Sequence, residues 1–215
     1  MATKTNIKEI NYESAKNGYS EVKLETDKGT ILCRYYKSSG AKLGAIWVGG
    51  IGGGFDTPSY DLYPELSKKL LEKSISSLRI QYRNPVNLEE CVYDVLAGIA
   101  FLEKEGISKI ALTGHSLGGA VVIQAAAQSN LVKTVITLAT QSYGTDSVKD
   151  FKDISLLLIH GGDDSVLPVS CTRMVYGIAP GIKERVILSG NGHCLEESAD
   201  NVKKIVYNWI LSKLK

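Results

Sequence analysis

Three short segments of this chain carry side chains whose types and spacing suit acyl transfer. The first is Gly114-His115-Ser116-Leu117-Gly118, a G-x-S-x-G pentapeptide. A serine hydroxyl is a poor nucleophile at neutral pH and needs a base within hydrogen-bond reach. That base must be about half-deprotonated near neutrality, which suits an imidazole with an unperturbed pKa of about 6.5. A carboxylate completes the set by orienting the ring and stabilising the imidazolium formed during attack. The second segment, Gly161-Gly162-Asp163-Asp164, supplies acids, and the third, Gly190-Asn191-Gly192-His193, supplies an imidazole.

The chain has three histidines, so elimination is possible. His115 adjoins the serine, where a tight turn aims the two side chains apart. His160 ends an apolar stretch, a place for packing or for a hydrogen bond that holds the acid loop. His193 alone sits on a glycine-flanked loop able to reach Ser116, which makes it the candidate base. Cys194 beside it lacks an elbow and reads as a small packed residue.

In a chain with 21 glycines the pentapeptide alone says little, and its surroundings decide its value. Val22 and Leu24, then Ile31, Cys33 and Tyr35, alternate on either side of Asp27-Lys28-Gly29, a hairpin signal. Leu43–Val48 is a nearly continuous apolar run, and further strands are expected at about 75–82, 109–113, 133–139, 155–160 and 185–188. Leu62, Leu66 and Leu70 recur at helical spacing, as do Leu88, Cys91, Val92, Val95, Leu96 and Ile99. Helices are also expected after Ser116, near Pro168 and at the end of the chain, where Val202, Ile205, Val206, Trp209 and Ile210 share a face. Apolar strands alternating with amphipathic helices imply an α/β fold, with a mostly parallel eight-stranded sheet covered on both faces. No linker or repeat interrupts the pattern, so residues 1–215 read as one domain. Such sheets bind ligands beyond the carboxyl ends of their strands. The serine, acids and histidine all fall at that edge, in the order Ser…Asp…His.

Other classes find little support. Net charge is +2, with basic and acidic residues interspersed, so no basic stripe points to nucleic acid or an anionic membrane. No segment approaches the roughly twenty apolar residues needed to span a bilayer. The polar start MATKTNIKEI lacks the apolar stretch of a secretory signal. Cys33, Cys91, Cys171 and Cys194 are scattered without metal-ligand spacing and read as reduced thiols, which suggests the cytoplasm. The run Gly49-Gly50-Ile51-Gly52-Gly53-Gly54 fails the dinucleotide fingerprint, because Phe55 stands where the last glycine is needed, and no Lys-Ser/Thr follows for a phosphate loop.

Taken together, the motifs resemble those of compact α/β-hydrolases of the esterase and dienelactone-hydrolase-like kind, over nearly the whole chain. The Ser…Asp…His order is that family's order. Its acid lies in a segment resembling H-G-x-x-D-x-x-x-P, which His160-Gly161-Gly162-Asp163-Asp164-Ser165-Val166-Leu167-Pro168 matches with Asp164 in the acid position. Asp163 remains the neighbouring alternative, otherwise a solvated carboxylate or a cap for the helix near Pro168. The resemblance makes Ser116 the nucleophile, Asp164 the acid and His193 the base. It assigns the oxyanion N–H groups to Ile51, with Gly52 as the fallback, and to Leu117. Two departures stand out: many relatives have His-Gly where this chain has Gly49-Gly50, and dienelactone hydrolases proper carry cysteine at the position of Ser116.

Gly118 and Gly119 are expected to let the elbow helix approach its neighbouring strands. Gln141 and Tyr143 are candidate pocket residues, and Arg83 is a candidate substrate contact or else a solvated arginine. The connection from about Thr140 to Ile154 is too short for a cap domain, so an open site for small acyl esters is expected. These features imply a carboxylesterase-type serine hydrolase with a catalytic triad and oxyanion hole, needing no metal or organic cofactor. A thioesterase or small-peptide hydrolase would use the same triad. A perhydrolase, a hydroxynitrile lyase, or a ligand-binding protein on a hydrolase scaffold are the remaining readings. Oligomeric state is not legible.

Overall fold

The computed structural model describes residues 5–13 and 17–214. Among these, nine strands form a single sheet: β1 (Ile7–Tyr12), β2 (Ser20–Thr26), β3 (Gly29–Tyr36), β4 (Leu43–Val48), β5 (Ile75–Gln81), β6 (Lys109–His115), β7 (Val132–Leu138), β8 (Ser155–Gly161) and β9 (Lys183–Leu188). Their spatial order is β1-β2-β3-β5-β4-β6-β7-β8-β9. The first three strands run antiparallel to their neighbours, and from β5 to β9 every pairing is parallel.

The sheet has one strand more than the eight that periodicity predicts. The extra one, β1, reads Ile-Lys-Glu-Ile-Asn-Tyr and is mostly exposed. An edge strand with one neighbour buries little, so it carries no alternating apolar signal to read.

The alternation of side chains along each strand divides the interior into two cores. Ile46 and Val48 of β4 and Leu112 of β6 enter one, with residues from the helices α2 (Leu88–Lys104) and α3 (Leu117–Ala126) and Val175 of α4 (Ser170–Ile178). Ala45 and Trp47 of β4 and Ala111 of β6 enter the other, with α1 (Leu62–Leu71) and α5 (Ala199–Lys213). Each fully buried leucine or isoleucine there contributes about 1.5–3 kcal/mol relative to exposure. Polar anchors fix the second layer: Trp209 Nε1–H donates to Thr134 Oγ1 at 2.7 Å, and Tyr63 O–H donates to the Val48 carbonyl at 3.0 Å. Asn87 caps α2, its side chain accepting the Glu90 N–H at 3.1 Å.

Strand order reverses at β4, which lies between β5 and β6. Chains leaving β4 and β6 therefore depart toward opposite faces, and a crevice opens between them at the carboxyl edge.

Candidate active site

Ser116 is the single residue between β6 and α3. Its backbone is left-handed, φ 56° and ψ −119°. A non-glycine residue there costs about 1–3 kcal/mol and persists only where its surroundings fix it. Here Ser116 N–H donates to the Leu138 carbonyl at 2.9 Å, and the Ser116 carbonyl accepts from Gly119 N–H at 3.0 Å. The turn is so tight that a Cβ on Gly114 would lie 2.1 Å from the Gly118 carbonyl oxygen. Leu117 opens α3, so its N–H has no acceptor within the helix. The dipoles of that helix favour negative charge at the same point.

The glycine run after β4 lies against this turn. Gly53 N–H donates to the Gly50 carbonyl at 3.3 Å, closing a turn that does not use the Ile51 and Gly52 N–H groups. A Cβ on Gly50 would stand 3.1 Å from Ser116 Cβ, so the loop sits directly over the serine. Position 49 has no room for a side chain: a Cβ there would meet Asp56 Cβ and its carbonyl oxygen, each at 3.1 Å. The loop folds back over the space a larger side chain would need.

Asp164 and His193 meet. His193 Nδ1 lies 2.8 Å from Asp164 Oδ2, and the carboxylate side chain is fully buried. The other oxygen, Oδ1, accepts the N–H groups of Val166 at 2.8 Å and Leu167 at 2.9 Å. Burial raises the Asp164 pKa, but the bonds from His193, Leu167 and Val166 together outweigh it and hold the carboxyl below its usual range. Its neighbour Asp163 is exposed, and only its backbone N–H bonds the loop that carries His193, at Asn191 O, 2.9 Å away. It does not cap α4, whose N-cap residue is Val169 with no side-chain bond.

The other two histidines brace this pair. His160, fully buried, places Nε2 3.1 Å from Asp164 Oδ2 and 3.0 Å from the Leu167 carbonyl, with Nδ1 2.7 Å from Thr172 Oγ1. The carbonyl requires Nε2 to carry the proton, so Nδ1 accepts from the threonine. His160 thus holds the acid loop. His115 Nε2 lies 3.1 Å from the His193 carbonyl, and the two rings are 4.8 Å apart. Burial lowers the His115 pKa to about 4, so the ring is neutral near pH 7. Its Nδ1 is buried without a partner, 3.6 Å from where a Gly50 Cβ would stand.

Arg83 corrects the sequence reading. It is neither a substrate contact nor a solvated arginine: its Nε bonds Asp94 Oδ1 at 2.6 Å, its Nη1 the Lys28 carbonyl, and its Nη2 Glu90. Asp94 is fully buried on α2 and shares the guanidinium with Glu90 and the Lys28 carbonyl. Gln141 and Tyr143 share a groove with Leu117, the residue after the serine. With Asn84, Val86, Leu117 and Gln124 they line an open groove of about 860 Å³, whose only charged lining residue is Glu89. Gly52 is exposed beside Ile51.

Further contacts at this edge have no sequence signal. Ser59 donates its N–H to the Cys194 carbonyl at 2.7 Å and its hydroxyl to the Leu195 carbonyl at 3.1 Å. Glu197 Oε2 accepts the Gly192 N–H at 3.2 Å. Partners up to 136 residues apart meet only because the sheet order brings their loops together.

This sheet order, with a strained serine between β6 and α3, defines the α/β-hydrolase fold. The sequence profile of the alpha/beta hydrolase family matches residues 60–194, and the chain belongs to that family. No curated protein sequence matches it. Among solved structures it resembles a dienelactone hydrolase from Anabaena variabilis, with TM-score 0.78 and 16% identity over 93% of this chain and all of that one. Est1E from Butyrivibrio proteoclasticus gives TM-score 0.77 and 16% identity over 90% of this chain and 98% of that one. An alpha-beta serine hydrolase homologue from Coxiella burnetii gives 0.76 and 18%, covering 91% and 98%.

Proposed function

We propose that the protein is a serine hydrolase of carboxylic esters that works through an acyl-enzyme. The observation that carries this reading is the 2.8 Å contact of His193 with Asp164 at the edge where Ser116 occupies a strained turn. Likeness to an esterase and a dienelactone hydrolase agrees with it. The scattered free cysteines suit a cytoplasmic protein.

The steps follow from the groups present. Asp164 accepts a hydrogen bond from the Nδ1–H of His193, which leaves Nε2 as the bare nitrogen that takes the Ser116 proton. Ser116 Oγ adds to the ester carbonyl, and the oxyanion is met by the N–H of Leu117 at the start of α3 and the N–H of Ile51 in the glycine loop. Each such donor is worth about 3–4 kcal/mol in the transition state. His193 then gives its proton to the leaving alcohol, and water repeats the sequence on the acyl-serine. Between β7 and β8 the chain forms only a single 3₁₀ turn, Asp146–Asp150. With no lid there, the site favours short acyl chains.

p-Nitrophenyl acetate, butyrate and palmitate, each with the parent chain and Ser116→Ala, test this. Hydrolysis of the short esters that Ser116→Ala abolishes is expected, with fluorophosphonate labelling at Ser116 by mass spectrometry. An unchanged rate in the variant, or palmitate as the best substrate, overturns the proposal.

A further inference from the structure

Charge is distributed unevenly between the two edges of the sheet. The loops at the carboxyl edge span residues 49–61, 82–87, 139–145, 162–169 and 189–198. They contain no lysine and one arginine, Arg83, whose Nε, Nη1 and Nη2 bond Asp94, the Lys28 carbonyl and Glu90; from neighbouring strands Arg79 donates to the Phe55 carbonyl and Arg34 lies 4.1 Å over the Phe55 ring. The same loops carry Asp56, Asp61, Asp163, Asp164, Glu196 and Glu197. Apart from Asp164, all are exposed, and none of these five pairs with a lysine or arginine among the described residues. At the opposite edge Lys42, Lys73, Lys109, Lys133, Lys152 and Lys183 stand at or near the starts of the parallel strands, mixed with Glu72, Glu105, Asp153 and Glu184. In a chain of nearly balanced charge, with 25 basic and 23 acidic residues, the loops of the carboxyl edge are therefore net negative.

Two observations carry this negative potential inward from the rim, toward His193 and the serine turn. Cys194, next to the base, is exposed; burial of its thiol group raises its pKa, and the carboxylates of Glu196, Asp56, Asp164 and Glu197 push the same way. Deeper in, His115 is 4% exposed and uses its Nε2–H on the His193 carbonyl, so its unpartnered Nδ1 presents a bare lone pair between Gly50 and the serine turn. That buried nitrogen adds negative partial charge beside the serine turn. The positive end of α3 acts locally on the oxyanion and falls off within a turn, so it does not offset the surrounding carboxylates.

We infer that the catalytic face selects esters that are neutral or cationic around the reacting carbonyl and rejects anionic ones. This excludes acyl-coenzyme A thioesters, phosphorylated acyl donors and esters bearing a free carboxylate beside the scissile bond. The ester arm rests on the hydrolase reading above; the field itself does not.

Cys194 allows the field to be read without catalysis. Its modification by cationic 2-(trimethylammonium)ethyl and anionic 2-sulfonatoethyl methanethiosulfonate is followed by mass spectrometry, against a free thiol under the same conditions. The cation-to-anion rate ratio at Cys194 is expected to exceed that of the free thiol by about tenfold at low salt, and to converge on it at high salt. In the ester arm, acetylcholine, its neutral isostere 3,3-dimethylbutyl acetate and 2-acetoxyethanesulfonate are compared by pH-stat. The anion is expected to be slower than the neutral ester in kcat/KM by about tenfold at low salt, with the cation at least as fast as the neutral ester. Asp163→Lys combined with Glu196→Lys, both outside the triad, narrows the series and leaves the neutral ester unaffected. A thiosulfonate ratio equal to that of the free thiol, or an ester series indifferent to charge, overturns the inference. A neutral ester hydrolysed equally by Ser116→Ala overturns the hydrolase reading instead, and the thiosulfonate ratio then decides the field alone.

Discussion

Replacing Asp164 by asparagine keeps the volume of the side chain and removes its charge, and the surrounding hydrogen bonds dictate how the amide must sit. Oδ1 accepts two backbone N–H groups, from Val166 and Leu167 at 2.8 and 2.9 Å, so the amide oxygen has to take that place. The amide nitrogen then occupies the Oδ2 position, 2.8 Å from His193 Nδ1 and 3.1 Å from His160 Nε2. An NH₂ group there bonds Nδ1 only if His193 carries its proton on Nε2. In that tautomer Nε2 has no lone pair for the Ser116 proton. The corresponding wrong-tautomer change in serine proteases lowers kcat by about 10⁴, which at about 1.36 kcal/mol per tenfold is about 5.5 kcal/mol of transition-state stabilisation. His160 keeps the Leu167 carbonyl at 3.0 Å as an acceptor, so the cost to folding is one weakened bond, about 1 kcal/mol and a melting point lower by about 2–4 °C. Steady-state hydrolysis of p-nitrophenyl acetate, with thermal melts of the same preparations, checks both numbers. The expected result is a loss in kcat with KM little changed, while Asp163→Asn behaves as the parent. An Asp164→Asn variant within about tenfold of the parent kcat would refute the orientation argument and the role given to Asp164.

Other substitutions follow the same logic. Arg83→Met strands the fully buried Asp94 without its partner, so urea unfolding should register a loss of about 3–5 kcal/mol while the folded fraction retains its kcat. Gly50→Ala puts a methyl 3.1 Å from Ser116 Cβ; kcat on p-nitrophenyl acetate and fluorophosphonate labelling should fall by about tenfold or more while the variant stays folded at the assay temperature, and losses that only track the unfolded fraction would show a purely structural role. His115 has a folded pKa of about 4, against about 6.5 unfolded. Its contribution to stability is therefore complete above about pH 6.5 and is lost as pH falls toward 4, a span worth up to about 3 kcal/mol. Urea titrations at several pH values should show His115→Gln removing that part of the acid sensitivity, and identical pH slopes would disprove the assignment.

What the sequence made legible follows from range. The serine turn is local: strand, glycines and helix lie within about a dozen residues, and their periodicities change at Ser116. The helix faces of α2 and α5 are likewise local patterns, and both pack as their spacing implies. β1 escaped because an edge strand can stay polar. Arg83 misled because its partner is a carboxylate on α2 whose burial cannot be read from residue type. The bond from His115 to the His193 carbonyl was out of reach for a different reason. It joins a side chain to a backbone oxygen 78 residues away, and any residue at position 193 offers the same oxygen.

That last contact bears on how an open site keeps its geometry. A cap domain can press a base loop into place, and the short connection between β7 and β8 leaves no such domain there. Instead the main chain of the base loop is held directly: His115 takes the His193 carbonyl, and Ser59 takes the carbonyls of Cys194 and Leu195. The first of these braces belongs to the same pentapeptide as the serine, and the second to the loop that begins with the glycines over it. The reversal of strand order at β4 makes both possible, because it brings the segments after β4, β6 and β9 to one crevice. With its backbone fixed on two sides and its Nδ1 held by Asp164, His193 has little freedom left except at Nε2, the atom that moves the proton in the proposed mechanism.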